Sequence, residues 1–229
     1  MISVVIPTLN AEASLAATLA SLVPAAVEGL VREVIVVDGG STDRTAEIVD
    51  HAGAQLASCS GGRGLQLATG ASRARFPWLL FLHADTVLER GWESEAATFM
   101  DRVDAGVRPP SAAAFRFTLD DIGSKPRILE RLVAIRCALL RLPYGDQGLL
   151  MPKQLYNEIG GYRSLPLMED VDLVRRLGRR RISLLHACAV TSSERFRREG
   201  YVRRSARNLF CLTLYTARVP TRLISRLYG

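Results

Sequence analysis

Val34-Ile35-Val36-Val37 is a run of four β-branched residues closed by Asp38-Gly39-Gly40. Successive side chains of a strand point to opposite faces of its sheet. A strand apolar at every position must therefore be covered on both faces, as in a sheet lying between layers of helices. The surrounding sequence agrees. Ser3–Ile6 reads as a strand stopped by Pro7, Gln55–Ala57 as a third strand and Trp78–Leu82 as a fourth. Between them, Ala13–Leu22 carries Leu15, Leu19 and Leu22 on one helical face. A second helix starts near Asp43 with Ser41 or Thr42 as its cap, and a third runs through Leu65–Arg75 after the turn Ser60-Gly61-Gly62-Arg63-Gly64. Strand–helix alternation at this spacing predicts an α/β fold with a mostly parallel central sheet flanked by helices. Ligands of such sheets sit beyond the carboxyl ends of the strands.

The second half is less regular. Ala112–Thr118 and Ile182–Val190 read as strands and Lys125–Leu142 as a long helix. Met168–Gly178 reads as a helix with acids at its start, where the helix dipole favours them. Residues 201–228 read as helical with a break at Pro220. There is no internal repeat, low-complexity tract or evident linker. At 229 residues the chain fits one medium domain, or one domain with a small appendage; the expected division is a domain over residues 1–198 and a basic amphipathic helical extension over residues 199–229. That extension would pack on the domain, on a partner subunit or on a membrane surface.

Charge is unevenly placed. From residue 171 onward there are 14 basic residues against 3 acids, whereas the first 170 residues hold 16 against 20. This asymmetry implies either an anionic partner (phosphate, nucleic acid or a membrane surface) or a solvated arginine-rich face. No zinc-finger, RNA-recognition or helix-turn-helix signature is present, so a nucleic-acid partner is not expected. Cys59, Cys137, Cys188 and Cys211 form no CxxC pair and read as reduced thiols, not a zinc site or disulfide framework. No apolar stretch reaches the roughly 18 residues of a spanning helix, and the chain enters Ser3 without a basic leader. The expected location is cytoplasmic, at most peripheral at the inner face of the cell membrane.

Three polar clusters follow predicted strands: Pro7-Thr8-Leu9-Asn10, then Asp38-Gly39-Gly40-Ser41-Thr42-Asp43, then His83-Ala84-Asp85-Thr86. Carboxylates at strand ends meet in one crevice. There one can accept hydrogen bonds from a base or ribose, and another can bind a hard cation that neutralises a diphosphate. Each cluster alone is also what an ordinary turn looks like; their joint spacing is the signal. Arg63 and Gln66, after the Gly-rich turn, can reach the same crevice. His51 and His186 read as incidental.

With Met168-Glu169-Asp170, these segments resemble the family-2 inverting glycosyltransferases of the GT-A fold, over roughly residues 1–198. Within that family the chain looks most like small stand-alone bacterial members with a His-Ala-Asp motif. The resemblance implies a sugar transfer from a UDP- or GDP-linked donor to an acceptor hydroxyl, with inversion and with Mg2+ or Mn2+ as cofactor. Asp38 matches the acid that reads the base, and Pro7, Thr8, Leu9, Asn10 and Gly39 match the nucleoside wall. Asp85 matches the metal ligand at the end of an Asp-x-Asp motif, with His83 standing where its first acid usually sits, beside Ala84. Glu12 is offset from the acid that usually follows Asn10 directly.

Asp170 matches the general base, with Glu169 beside it; an attacking hydroxyl needs such a group to take its proton. Tyr144-Gly145-Asp146-Gln147-Gly148 resembles the acceptor-side loop, so Asp146 and Gln147 are assigned there, although Gly145 and Gly148 serve equally to shape a turn. Arg195-Phe196 falls where relatives carry Arg-Trp, and an arginine there can hold the leaving diphosphate. The acceptor is unspecified, a lipid-linked one included, and a homodimer is left open. Two other readings stand beside this one. The first is a sugar-phosphate nucleotidyltransferase, which also uses an α/β sheet, a metal and a nucleotide but whose Gly-rich signature the Pro-Thr-Leu-Asn end of the first strand does not match. The second is a non-catalytic anion- or membrane-binding protein, suggested by the basic C-terminal quarter.

Overall fold

Val34 and Val36 pack into one apolar cluster and Ile35 and Val37 into another on the opposite face of the sheet, as the unbroken apolar run requires. The computed structural model describes residues 1–228, the side chain of Tyr228 excepted. Its strands are β1 (Ile2–Thr8), β2 (Val31–Asp38), β3 (Gln55–Ser58), β4 (Trp78–Phe81), β5 (Thr86–Leu88), β6 (Ala112–Leu119), β7 (Leu149–Pro152) and β8 (Ile182–Thr191). The helices are α1 (Leu15–Ala20), α2 (Val23–Val27), α3 (Thr45–His51), α4 (Arg63–Arg73), α5 (Trp92–Asp104), α6 (Ser124–Leu140), α7 (Lys153–Glu158), α8 (Glu169–Leu177), α9 (Glu194–Glu199), α10 (Tyr201–Thr216) and α11 (Thr221–Tyr228). The strands form one mixed sheet in the order β3-β2-β1-β4-β7-β6-β8-β5. β3, β2, β1 and β4 are parallel to one another; β7 runs antiparallel to β4 and to β6, and β5 antiparallel to β8. This is a GT-A-like α/β architecture.

One helical layer packs Leu15, Leu19, Trp92 and Phe99 against Val4, Ile6 and Leu80. The other packs Leu67, Ala71, Val174 and Leu212 against Val5, Val37 and Phe81. Gly70 lets α4 approach most closely: a Cβ there would stand 2.3 Å from Val5 Cγ1. Three local expectations change. β1 is not stopped at Pro7 but runs through it to Thr8, with Pro7 opposite Val37. The Val5 carbonyl serves the β4 side and the Thr8 carbonyl serves the β2 side, so the missing N–H of Pro7 points toward β4, whose pairing has already ended at Val5. α3 is not capped by Ser41 or Thr42; Asp43 Oδ1 accepts from Thr45 N at 3.0 Å. The predicted helix over Ala13–Leu22 shortens to α1, and the chain re-enters a helix at α2, with Pro24 in its first turn. The strands β5 and β7 and the helices α2, α5, α7 and α9 were not anticipated.

All four cysteines are free thiols. Among the described residues, no helix is long and apolar enough to cross a membrane.

Candidate active site

The antiparallel turn of the sheet gathers segments that lie far apart in sequence. Phe81, the last residue of β4, pairs with Leu149, the first of β7. The residues after β4 (His83–Asp85) and before β7 (Tyr144–Gln147) therefore share one end of the sheet. Thr86 pairs with Thr191 in the same way, which sets Asp85 beside Ser192: the Ser192 N–H donates to the Asp85 carbonyl at 3.1 Å. Thr191 Oγ1 donates to the Asp146 carbonyl at 3.0 Å.

On the parallel side, two loops are laced together. Asp38 Oδ2 accepts from the N–H groups of Gly40 (3.0 Å) and Ser41 (2.9 Å), and Oδ1 accepts from the hydroxyls of Ser41 and Thr8. Burial alone would raise this carboxyl, but these four donors outweigh it and hold it below the usual range. Asn10, at φ +51°, accepts from Thr42 N through Oδ1 and donates its own N–H to Ser41 Oγ. Glu12 accepts from the Arg44 N–H at 2.9 Å. Gln66 is buried, and its Nε2 donates to the carbonyls of Thr8 (2.8 Å) and Val37 (3.0 Å).

Two cavities open at this end of the sheet. A cleft of about 440 Å³ is lined by the Pro7–Asn10 loop, Gly39, Gln66, Ala84, Pro166 and Glu169. A narrower pocket of about 140 Å³ is lined by Tyr144, Asp146, Asp170, Phe196, Arg204 and Asn208. Arg63, His83, Asp85, Ser192 and Arg195 line both and form their junction. The sequence-assigned residues Asp38, Glu12 and Gln147 line neither cavity. Gln147 is a buried pin: its Nε2 donates to Phe115 O at 2.9 Å, and its Oε1 accepts from Tyr144 N and Cys137 Sγ. A larger cavity, about 740 Å³, lies among α1, α2, α3 and β2, away from these carboxylates.

Met168, at φ +64°, sets the start of α8, a conformation that costs a non-glycine residue about 1–3 kcal/mol and collects at sites where geometry matters. It positions two acids with different surroundings. Glu169 is buried and bonded through Oε1 to Arg63 Nε. Burial pushes its carboxyl up, Arg63 draws it back, and the neighbouring Asp170 charge adds to the rise. Asp170 accepts from Gly145 N at 2.8 Å and from Val171 N at 2.7 Å, one bond on each oxygen, which leaves lone pairs facing the pocket it lines. Asp146 has one carboxyl oxygen buried without a partner. Its carboxyl is pushed up to about 6 by burial and by the Asp170 and Asp85 charges, against the opposing pull of Arg136. His83 is held neutral, at about 3, by burial and by the cations Arg63 and Arg195.

Among the described residues no three acids, histidines or cysteines cluster as a metal cage. The donor set nevertheless fits a cation completed by a ligand's phosphate oxygens. Among the described residues none hydrogen-bonds the Asp85 carboxylate at the junction, and Asp146, with one oxygen buried and orphaned, lines the same pocket. Sequence reasoning missed Arg204 and Asn208, which reach the pocket from α10; no motif marks them.

The sequence matches the family model described as glycosyl transferase family 2 over residues 3–139. No curated protein matches the chain. Among solved structures, residues 1–349 of S. aureus TarS align with a TM-score of 0.64 at 18% identity, covering 99% of this chain and 69% of that one. The same TarS fragment in complex with UDP-GlcNAc aligns with a TM-score of 0.63 at 18% identity, covering 99% and 70%. Glucosyl-3-phosphoglycerate synthase from Mycobacterium tuberculosis, in complex with Mn2+, UDP-glucose and phosphoglyceric acid, aligns with a TM-score of 0.55 at 21% identity, covering 81% and 69%. This chain spans 42% of the longer TarS structure. At these identities the structural likeness speaks for the fold, and the family match carries the assignment.

Proposed function

Since the chain belongs to glycosyl transferase family 2 and is a glycosyltransferase, we propose that it moves a sugar from a UDP- or GDP-linked donor to an acceptor hydroxyl, with inversion at the anomeric carbon. The observation that carries this reading is the junction. Arg63, His83, Asp85 and Arg195 line both the wide cleft and the narrow pocket, whereas Asp170 lines only the pocket. A nucleoside-diphosphate sugar in the cleft would put the anomeric carbon of its sugar at that junction, with an acceptor entering from the Asp170 side. The relatives solved with UDP-GlcNAc, or with UDP-glucose and Mn2+, support a donor of this class.

In this reading Asp170 takes the proton of the acceptor hydroxyl as the new glycosidic bond forms. The bond from the anomeric carbon to phosphate breaks, and its electrons leave with the nucleoside diphosphate. Arg195 and Arg63 face the charge that develops there. A divalent cation, Mg2+ or Mn2+, would be held by Asp85, with the Asp146 carboxylate nearby, and when bound would neutralise the diphosphate. Asp38 supports the base-reading loop: all four of its acceptor positions are taken by Thr8, Gly40 and Ser41, so contact with a base would exchange one of those bonds. Glu169 holds Arg63 across the cleft and leaves the proton transfer to Asp170. We read residues 1–198 as the catalytic domain and 199–229 as an extension packed on it, because Leu212 joins its core and Arg204 and Asn208 line its pocket.

Two variants test the assignment against a panel of nucleotide sugars. Asp170→Asn should retain calorimetric binding of UDP or GDP and slow transfer by roughly 10²–10⁴. Asp85→Ala should abolish the cation-dependent part of that binding. Unchanged turnover in the first variant, or retained configuration in the product, would contradict the mechanism.

A further inference from the structure

α6 turns Pro126, Val133 and Cys137 inward, and all three are buried. At about 100° per residue, Ile128, Leu132, Ile135 and Leu139 fall on the opposite side, and each is more than half exposed. A helix on a soluble protein ordinarily sends its one apolar stripe to the core; this helix has a second one facing out. α10 and α11 repeat the pattern. Cys211, Leu212 and Ile224 are buried, whereas Leu209, Phe210, Leu223 and Leu227 are about half exposed or more. The helices adjoin: Phe196 and Tyr201 pack with Val133 and Cys137, and Tyr201 Oη donates to Asp121, just ahead of α6, at 2.6 Å.

Charge decides what covers these stripes. Residues 200–229 contain six arginines and no acid, and α6 carries four basic residues against one acid. Arg131 of α6 and Arg203, Arg222 and Arg226 are exposed beside the apolar positions. A second copy seated here would set arginines against arginines, which penalises the contact. An anionic bilayer satisfies both features: the acyl boundary receives the leucines while the headgroups meet the guanidinium groups. We infer that the surface built by α6, α10 and α11 docks on an anionic bilayer.

The pocket that holds Asp170 is walled in part by α10 and by segments next to α6. Tyr144 follows α6, Phe196 lies on α9, and Arg204 and Asn208 lie on α10. α10 ties that pocket to the docking surface, carrying pocket residues inward and the apolar stripe outward, and the acceptor class this placement fits is an amphipathic molecule whose hydroxyl-bearing head lies at the interface. This last step rests on the reading of the Asp170 pocket as the acceptor side; the docking itself does not.

Flotation of the full chain with phosphatidylcholine vesicles, with and without phosphatidylglycerol, tests the docking. The protein should float with the phosphatidylglycerol vesicles, be released by salt, and ignore the neutral ones. The variant Ile128→Ser/Leu132→Ser/Ile135→Ser/Leu139→Ser should lose flotation while keeping its circular-dichroism melting curve. Arg222→Gln/Arg226→Gln should weaken binding about 25-fold, about fivefold for each arginine. Lack of binding at low salt, equal binding to both vesicles, or unchanged binding by both variants would overturn the inference. So would a dimer, seen by light scattering, that the serine variant dissociates in a protein that ignores vesicles. Flotation reads no catalysis, so failure of the Asp170 assignment leaves its result standing.

Discussion

The Arg63–Glu169 ion pair joins the first turn of α4 to the first turn of α8, and its two halves are not equivalent. The Glu169 side chain is 2% exposed and that of Arg63 is 39% exposed. Removing Arg63 leaves a carboxylate buried beside Asp170. Removing the charge of Glu169 leaves a guanidinium that already reaches water. Breaking a buried pair from the side that strands a charge costs about 3–5 kcal/mol. The partial exposure of Arg63 argues for the lower end, about 3 kcal/mol for Arg63→Ala. Glu169→Gln keeps the shape and exchanges a charge-assisted hydrogen bond for a neutral one, at about 1–1.5 kcal/mol. For a chain of this size these costs lower the thermal midpoint by about 6–12 °C and 2–6 °C respectively. The double variant should be more stable than Arg63→Ala, because the stranded charge is gone. The dependence on pH has a definite sign. Burial already raises the Glu169 carboxyl, and losing Arg63 removes the interaction that lowers it. A raised carboxyl stabilises the fold when protonated, and that contribution disappears as pH climbs through the folded-state value. The deficit of Arg63→Ala should therefore be small near about pH 4.5 and widen above it, whereas that of Glu169→Gln should not widen. Calorimetric melts of the three variants across this range measure both effects. Equal costs for the two single variants, a flat deficit in Arg63→Ala, or no rescue in the double variant would refute the reasoning.

Gly70→Ala should lower the midpoint of urea unfolding: helix propensity offers about 1 kcal/mol, but a Cβ 2.3 Å from Val5 Cγ1 and 3.1 Å from Val37 Cγ2 overpacks the layer by about 1–3 kcal/mol. In Gly145→Ala the new Cβ would meet His83 Nε2 at 2.6 Å and stand 3.4 Å from Asp170 Oδ2. Transfer should fall by about 10²-fold, since displacement by about 1 Å is enough, with the melting curve showing a folded protein. The Asp146 carboxyl, at about 6, favours the fold when protonated. In chelator the wild type should thus lose stability as pH rises through about 6, and Asp146→Asn should flatten that loss in parallel melts.

The parallel half of the sheet was legible because its strands announce themselves. Val34–Val37 and Trp78–Leu82 are unbroken apolar runs followed by polar turns, and such runs have few other uses in a chain of this size. β7 was not legible: Leu149-Leu150-Met151 lacks a β-branched residue and ends at Pro152, so nothing local separates it from a loop. Its pairing with β4 supplies what the residues do not. Pro7 misled because the rule against proline in a strand depends on which neighbour its missing N–H would face, and that is set by where β4 stops. α6 was legible as a helix but not in its orientation, since two apolar stripes on one cylinder look alike until one is packed. The Arg63–Glu169 contact spans 106 positions with no sequence signal.

The same division separates the two cavities chemically. The family match ends at residue 139, and the wide cleft draws mostly on the segments it covers: the Pro7–Asn10 loop, Gly39, Arg63, Gln66 and His83–Asp85. A nucleoside diphosphate has a fixed shape and charge, so the loops that would hold it have little freedom in residue type or spacing and are readable one motif at a time. The narrow pocket instead takes Tyr144, Asp146, Asp170, Phe196, Arg204 and Asn208, all beyond that match and brought together by antiparallel pairing and by α10. In the proposed mechanism, an acceptor entering there needs only a hydroxyl within reach of a base. The surrounding side chains are thus free to follow the acceptor, and their identities carry information about this chain's substrate that the donor loops do not. The arginine and asparagine that α10 contributes, beside apolar stripes turned outward, are therefore the residues to change first when the acceptor is sought.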